Sequence, residues 1–123
     1  MNKRNFTRVG YSEGASIRYD DHIIFGNIDN LSLSGMYIKT ESEIPLNGSV
    51  QITVYHTLNA SFKFSAKVVR QGDLGYGFQV SQIDVKAFDS LRSIVERKCS
   101  DQTVVMGETY RMLSCITHEE RPV

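Results

Sequence analysis

Two short spellings hold most of the residues that could do chemistry. Near the start stands Arg4-Asn5-Phe6-Thr7-Arg8, an R-x-x-x-R, and further on Asn30-Leu31-Ser32-Leu33-Ser34-Gly35, an N-x-S-x-x-G. Each guanidinium is a planar fork that can donate two parallel hydrogen bonds to a phosphate, or to O6 and N7 of a guanine. An asparagine amide both donates and accepts, so it can read a base edge. A serine hydroxyl can bond phosphate, and a glycine lets backbone approach where any Cβ would collide. Together Arg4, Arg8, Asn30, Ser32 and Gly35 suit a ligand with phosphates and guanine edges. The plain alternative is equally physical: solvated arginines on a chain terminus, and Asn, Ser and Gly as tight-turn residues. The first spelling turns up by chance in roughly 0.3 of chains this long and the second in about 0.05, so the conjunction carries the argument.

The elements that must position these residues follow from hydrophobic period. Residues 1–13 are polar and read as a flexible arm that does not fold alone. Ala15, Ile17 and Tyr19 alternate with Ser16 and Arg18, Asp20-Asp21 marks a turn, and residues 22–28 form a second strand, so the pair is a hairpin. Gly26 within it marks a bulge or a close backbone approach. Residues 30–35 read as a turn-rich loop before strand character resumes at Met36-Tyr37-Ile38-Lys39. Val50, Ile52 and Val54 alternate, as do Phe62, Phe64, Ala66 and Val68. A turn at Gly72-Asp73-Leu74-Gly75 leads into Tyr76-Gly77-Phe78-Gln79-Val80. After Ser81 the period lengthens: Val85, Phe88, Leu91, Val95 and Cys99 recur at helical spacing, predicting one helix over about 84–98. Residues 101–116 permit a second helix opening at Asp101, against which Thr103 and Gly107 count. Short strands at regular turn spacing predict a mainly β fold, a small antiparallel barrel covered by a C-terminal helix. The organisation expected is an arm at 1–13, barrel plus helix at 14–100, and an extension at 101–123.

Composition narrows the function classes. The chain has 123 residues, long enough to bury a core without disulfides or metals, and its 14 basic residues balance 14 acidic ones. A net charge of zero provides no whole-molecule field for DNA, so any anion site is local, built by a few placed cations. Cys99 and Cys115 lie outside any zinc-like spacing and read as buried or half-buried thiols of a reducing compartment. Met1-Asn2-Lys3 opens no signal peptide and no apolar run approaches a membrane span, so a cytoplasmic protein is expected. His22, His56 and His118 are scattered and read as structural or surface groups. Ser32 and Ser34 belong to no G-x-S-x-G. No metal, P-loop or acid–base pair is apparent, so no enzyme is expected.

At this point the chain resembles the PilZ domain, a bacterial cyclic di-GMP receptor module. Arg4 and Arg8 match its R-x-x-x-R, Asn30, Ser32 and Gly35 its [D/N]-x-S-x-x-G, and Gly75-Tyr76-Gly77-Phe78 its G-x-G-F/V turn and strand. The resemblance covers about residues 3–100. It implies a six-stranded antiparallel split barrel with a C-terminal α-helix. It implies that the arginines bind phosphate and guanine edges, and that Asn30, Ser32 and Gly35 line the other side of the dinucleotide. Binding would draw the arm onto the barrel and change the surface offered to a protein partner. Two departures stand out. Lys3 precedes Arg4 where many relatives have a further arginine, and would touch phosphate as a point charge rather than stack. The family's frequent Trp ahead of the G-x-G turn is missing, with Arg70 and Gln71 near its place. The expected protein is therefore a stand-alone, non-enzymatic receptor with cyclic di-GMP as ligand, no cofactor, an unidentified protein partner, and no DNA or membrane. The alternative is a ligand-free PilZ-like interaction module of motility or surface assembly. A third reading, a single-stranded nucleic-acid barrel, is disfavoured by the zero net charge and the strand-alternating aromatics.

Overall fold

Period-2 alternation organises the chain into strands whose inward faces make one core. The computed structural model describes residues 6–57 and 60–117. In chain order the elements are β1 (Val9–Gly10), β2 (Gly14–Tyr19), β3 (His22–Ser32), β4 (Gly35–Lys39), β5 (Ser49–Thr57), β6 (Ala60–Gln71), β7 (Gly75–Asp84), α1 (Val85–Lys98), α2 (Gln102–Arg111), a short 3-10 turn (Leu113–Cys115) and β8 (Ile116–Thr117). Strands β2, β5, β6, β7, β4 and β3 each pair antiparallel with the next, and β3 pairs back with β2. The result is the expected mainly β architecture, a closed six-stranded antiparallel barrel, followed by two C-terminal helices. Closure leaves no unpaired edge between these strands.

The barrel interior holds the alternating residues of each strand. Ile17, Ile52, Val54 and Val68 are fully buried, and Phe62, Phe64 and Phe78 nearly so. Helix α1 closes one face, packing against β3, β6 and β7. It buries Ala87, Phe88, Leu91, Ile94 and Val95. Its start is set by Asp84, whose carboxylate accepts from the Ala87 N–H at 2.8 Å. Arg97 and Lys98 in its last turn complement the helix dipole.

Three local features differ from or sharpen the sequence reading. Residues 30–35 are not a loop: β3 runs through Ser32, and Leu33-Ser34 alone make the turn into β4. Leu31 and Leu33 are completely buried, which holds this segment in the sheet despite its turn-forming composition. The glycine at 26 marks close approach, since a Cβ there would lie 2.5 Å from the Lys39 carbonyl oxygen. The register shift in β3 falls instead between Ile28 and Asn30. Residues 102–111 do form a helix, opened by Asp101, whose carboxylate accepts from Thr103 N–H at 3.1 Å and Val104 N–H at 3.3 Å.

Candidate functional site

The arm reaches the barrel through backbone pairing. In β1, Val9 faces Leu31 and Gly10 faces Asn30 across an antiparallel ladder with β3. Beyond it, Tyr11 N–H donates to the Asp29 carbonyl at 3.2 Å and Ile28 N–H donates to the Glu13 carbonyl at 2.8 Å. This register delivers Arg8 to the end of β3. Its Nη1 donates to Asn30 Oδ1 at 2.6 Å, and both groups remain accessible to solvent. Asn30 Nδ2 in turn donates to Asp29 Oδ2 at 2.9 Å. Lys39 Nζ lies 3.9 Å from the other Asp29 oxygen. The chain thus gathers guanidinium, carboxamide and carboxylate in one hydrogen-bonded row on the outer barrel surface, with the Lys39 ammonium at ion-pair distance from its end.

Ser32 and Gly35 are cross-strand partners in the same hairpin, and both are buried. Ser32 is buried; its Oγ accepts from Ser34 N–H at 3.2 Å and lies 3.2 Å from Ser34 Oγ. Gly35 is buried where β4 meets β7, and a Cβ there would overlap the Phe78 carbonyl oxygen. Its bare backbone is therefore required by the neighbouring strand. The glycine at 75 answers the same need from the other side, since a Cβ there would overlap the Ile38 carbonyl. Of the expected site residues, the structure joins Arg8 directly to Asn30 and places Ser32 and Gly35 as the frame of their hairpin. Lys3 and Arg4 lie outside the described residues.

A second set of groups borders this row. Tyr37 is the cross-strand partner of Asn30 and projects from the same outer face of β4 as Lys39. The Arg70 guanidinium carbon lies 5.3 Å from the Tyr37 ring centroid, a cation–π stack. Tyr37 Oη accepts from Leu74 N–H at 3.3 Å, which ties the ring to the β6–β7 turn. Asp29, Tyr37, Lys39, Arg70, Gly72, Asp73 and Leu74 line a groove of about 440 Å³. The sequence places Arg70 near the missing Trp but offers no motif for Asp29, Tyr37 and Lys39; outward alternation about the buried Met36 and Ile38 is the signal for the last two. Roomier hollows of about 600 Å³ lie elsewhere, for instance around Arg18, Gln51 and Gln82, and contain none of the expected residues.

Of the scattered histidines, His22 and His56 make local contacts, and His118 lies outside the described residues. His56 Nδ1 lies 3.0 Å from Tyr11 Oη, and the His22 ring meets Tyr19 edge-on at 5.2 Å. Cys99 and Cys115 are half-buried thiols. Among the described residues no group of three or more His, Cys, Asp or Glu is placed to hold a metal. No helix there is long and apolar enough to cross a membrane.

Fold and surface together define a small closed barrel with a cationic arm docked beside a polar hairpin. The chain matches the PilZ domain family model over residues 2–97, and it belongs to that family. No curated protein matches it. Among solved structures, the PilZ domain of YcgR from Escherichia coli with c-di-GMP is similar at a TM-score of 0.66 and 16% identity, over 79% of this chain and 92% of that one. YcgR from Escherichia coli in complex with c-di-GMP aligns at 0.65 and 18% identity, over 76% of this chain and 44% of that chain. The Bacillus subtilis inhibitor of motility, MotI/DgrA, aligns at 0.63 and 14% identity, over 74% of this chain and 48% of that one. The present chain thus spans about half the length of the motility inhibitor and less than half of the YcgR chain in the second complex. At these identities the likeness is one of fold.

Proposed function

We propose that this chain is a cyclic di-GMP receptor module, without catalysis of its own, that binds the dinucleotide between its N-terminal arm and the β3–β4 hairpin. The observation that carries the reading is the Arg8–Asn30 pair: two motifs far apart in sequence meet at 2.6 Å on an exposed surface. Membership of the PilZ family and likeness to a PilZ domain solved with c-di-GMP support the same ligand. In this reading Arg8 and Arg4 carry the phosphates and the O6/N7 edge of guanine, with Lys3 as a further phosphate contact. Asn30 reads a base edge, and Asp29 accepts from the donor N–H groups of guanine. Ser32 and Gly35 act through the hairpin they shape.

Each charge-assisted hydrogen bond contributes roughly 1.5–3 kcal/mol. Ordering the arm opposes this at about 1–2 kcal/mol per residue fixed. Val9 and Gly10, already paired with β3, add nothing to that cost. Movement of Arg8 from Asn30 onto a phosphate would alter the arm surface, and through it contact with a protein partner in the cytoplasm.

Calorimetric titration tests the reading. Cyclic di-GMP should give saturable heat, whereas GTP and cyclic di-AMP should give little, because neither offers two guanines on a doubly charged ring. Absence of heat with cyclic di-GMP at millimolar concentration would favour a ligand-free interaction module. The buried Ser32 and Gly35 are the observation on that side, since local packing and hydrogen bonding account for two of the second motif's three residues.

A further inference from the structure

The arm is held from behind by a helix that no motif indicated. Thr7 stands inside the R-x-x-x-R, next to Arg8. Its backbone N–H donates to Glu108 Oε2 at 3.0 Å and its hydroxyl donates to the same oxygen at 2.8 Å. One turn along α2, the Arg111 guanidinium carbon lies 4.4 Å from the Phe6 ring centroid. Phe6 also packs against the hydrophobic core. Residues 6 and 7 of the arm are therefore gripped by positions 108 and 111 of α2, which share one face of the helix.

Glu108 is an expensive residue for this place. It is 5% exposed, and its Oε1 has no hydrogen-bond partner among the described residues. Burying a carboxylate with half its acceptor capacity unmet is unfavourable, and an apolar side chain would suit the helix packing better. What a glutamate does that leucine cannot is accept the Thr7 backbone and hydroxyl protons together. That contact fixes the residue whose neighbour, Arg8, reaches Asn30. The run Glu108–Thr7–Arg8–Asn30 connects α2 to the hairpin without a gap. Helix α2, at Gln102–Arg111, lies wholly beyond residue 97, where the family match ends.

We propose that α2 is a latch for the arm and Glu108 a positioning residue for the ligand site. By holding Phe6 and Thr7 it keeps Arg8 at the hairpin before ligand arrives, so less order has to be imposed on binding. The affinity consequence rests on the cyclic di-GMP reading; the latch itself does not.

The test compares Glu108→Leu and Glu108→Gln in the full chain by amide hydrogen exchange and by cyclic di-GMP titration. In Glu108→Leu, Thr7 amide exchange should rise toward the unprotected rate and cyclic di-GMP should bind roughly tenfold more weakly, while β5 and β6 amides stay protected. Glu108→Gln, whose side-chain oxygen still accepts both Thr7 protons, should stay near wild type in both respects. Unchanged Thr7 protection in Glu108→Leu would overturn the proposal, and so would a Glu108→Gln variant as loosened as Glu108→Leu. Should Glu108→Leu fail to fold, Glu108→Ala combined with Arg111→Ala removes both contacts from the helix side, and Thr7 amide protection equal to wild type there would also overturn it. If wild type bound no cyclic di-GMP, the receptor reading would fall while Thr7 exchange still decided the latch.

Discussion

At the scale of single residues, Arg8 and Gly35 make opposite predictions. Arg8 is exposed and donates to Asn30 at the solvent-accessible surface, so Arg8→Ala should cost no more than about 1 kcal/mol of thermal stability. The same change should weaken cyclic di-GMP binding by about a hundredfold, the loss of one or two charge-assisted hydrogen bonds. Calorimetry beside a melting curve checks both halves. Gly35→Ala should behave in reverse. Its Cβ meets the Phe78 carbonyl, a backbone atom that cannot swing aside, so stability should fall by roughly 1–3 kcal/mol with or without ligand. Urea denaturation measures it, and an undiminished midpoint would mean that the glycine serves the ligand rather than the sheet. The residue types of both motifs were legible in the sequence, but their division of labour was not. A glycine needed against β7 and one needed against a ligand have the same spelling, and only the strand neighbour distinguishes them.

At the scale of elements, the helices and the arm carry the predictions. Asp101 is the side-chain cap of α2, so Asp101→Ala should cost about 1 kcal/mol and loosen that helix before the barrel. Hydrogen exchange resolved by segment would show it; uniform loss across β5 and β6 would contradict it. In the arm, burial first and Glu13 second raise the Tyr11 phenol above its usual value, with Arg97 partly opposing. The folded state therefore holds the Tyr11 proton more tightly than the unfolded chain does. The stability this contributes is fully present below about pH 10 and is lost as pH rises through the folded value. Melting temperatures followed upward from about pH 9 should fall less steeply for Tyr11→Phe than for wild type. The strands and α1 were readable because period-2 and 3.6-residue patterns are local facts. Residues 30–35 read as a loop in sequence because Asn30, Ser32, Ser34 and Gly35 outweigh Leu31 and Leu33 in composition, although the two buried leucines decide the outcome. In α2, a buried Glu108 cannot be told from a solvated one until the arm is seen against it.

At the scale of the whole molecule, a neutral barrel places its local charges where its ends meet. Strand closure between β3 and β4 brings the arm-bearing hairpin beside the Tyr37–Arg70 stack, and α2 returns the C-terminal segment to the arm's outer side. The central claim is that cyclic di-GMP binds at this junction. Amide chemical-shift mapping of isotope-labelled protein during cyclic di-GMP titration tests it most directly. Arg8, Asn30 and Tyr37 should shift together along one saturable curve, while Ile17, Val54 and Leu91 remain in place. Saturable shifts centred instead on the hollow at Arg18, Gln51 and Gln82, or no shifts at all, would contradict it.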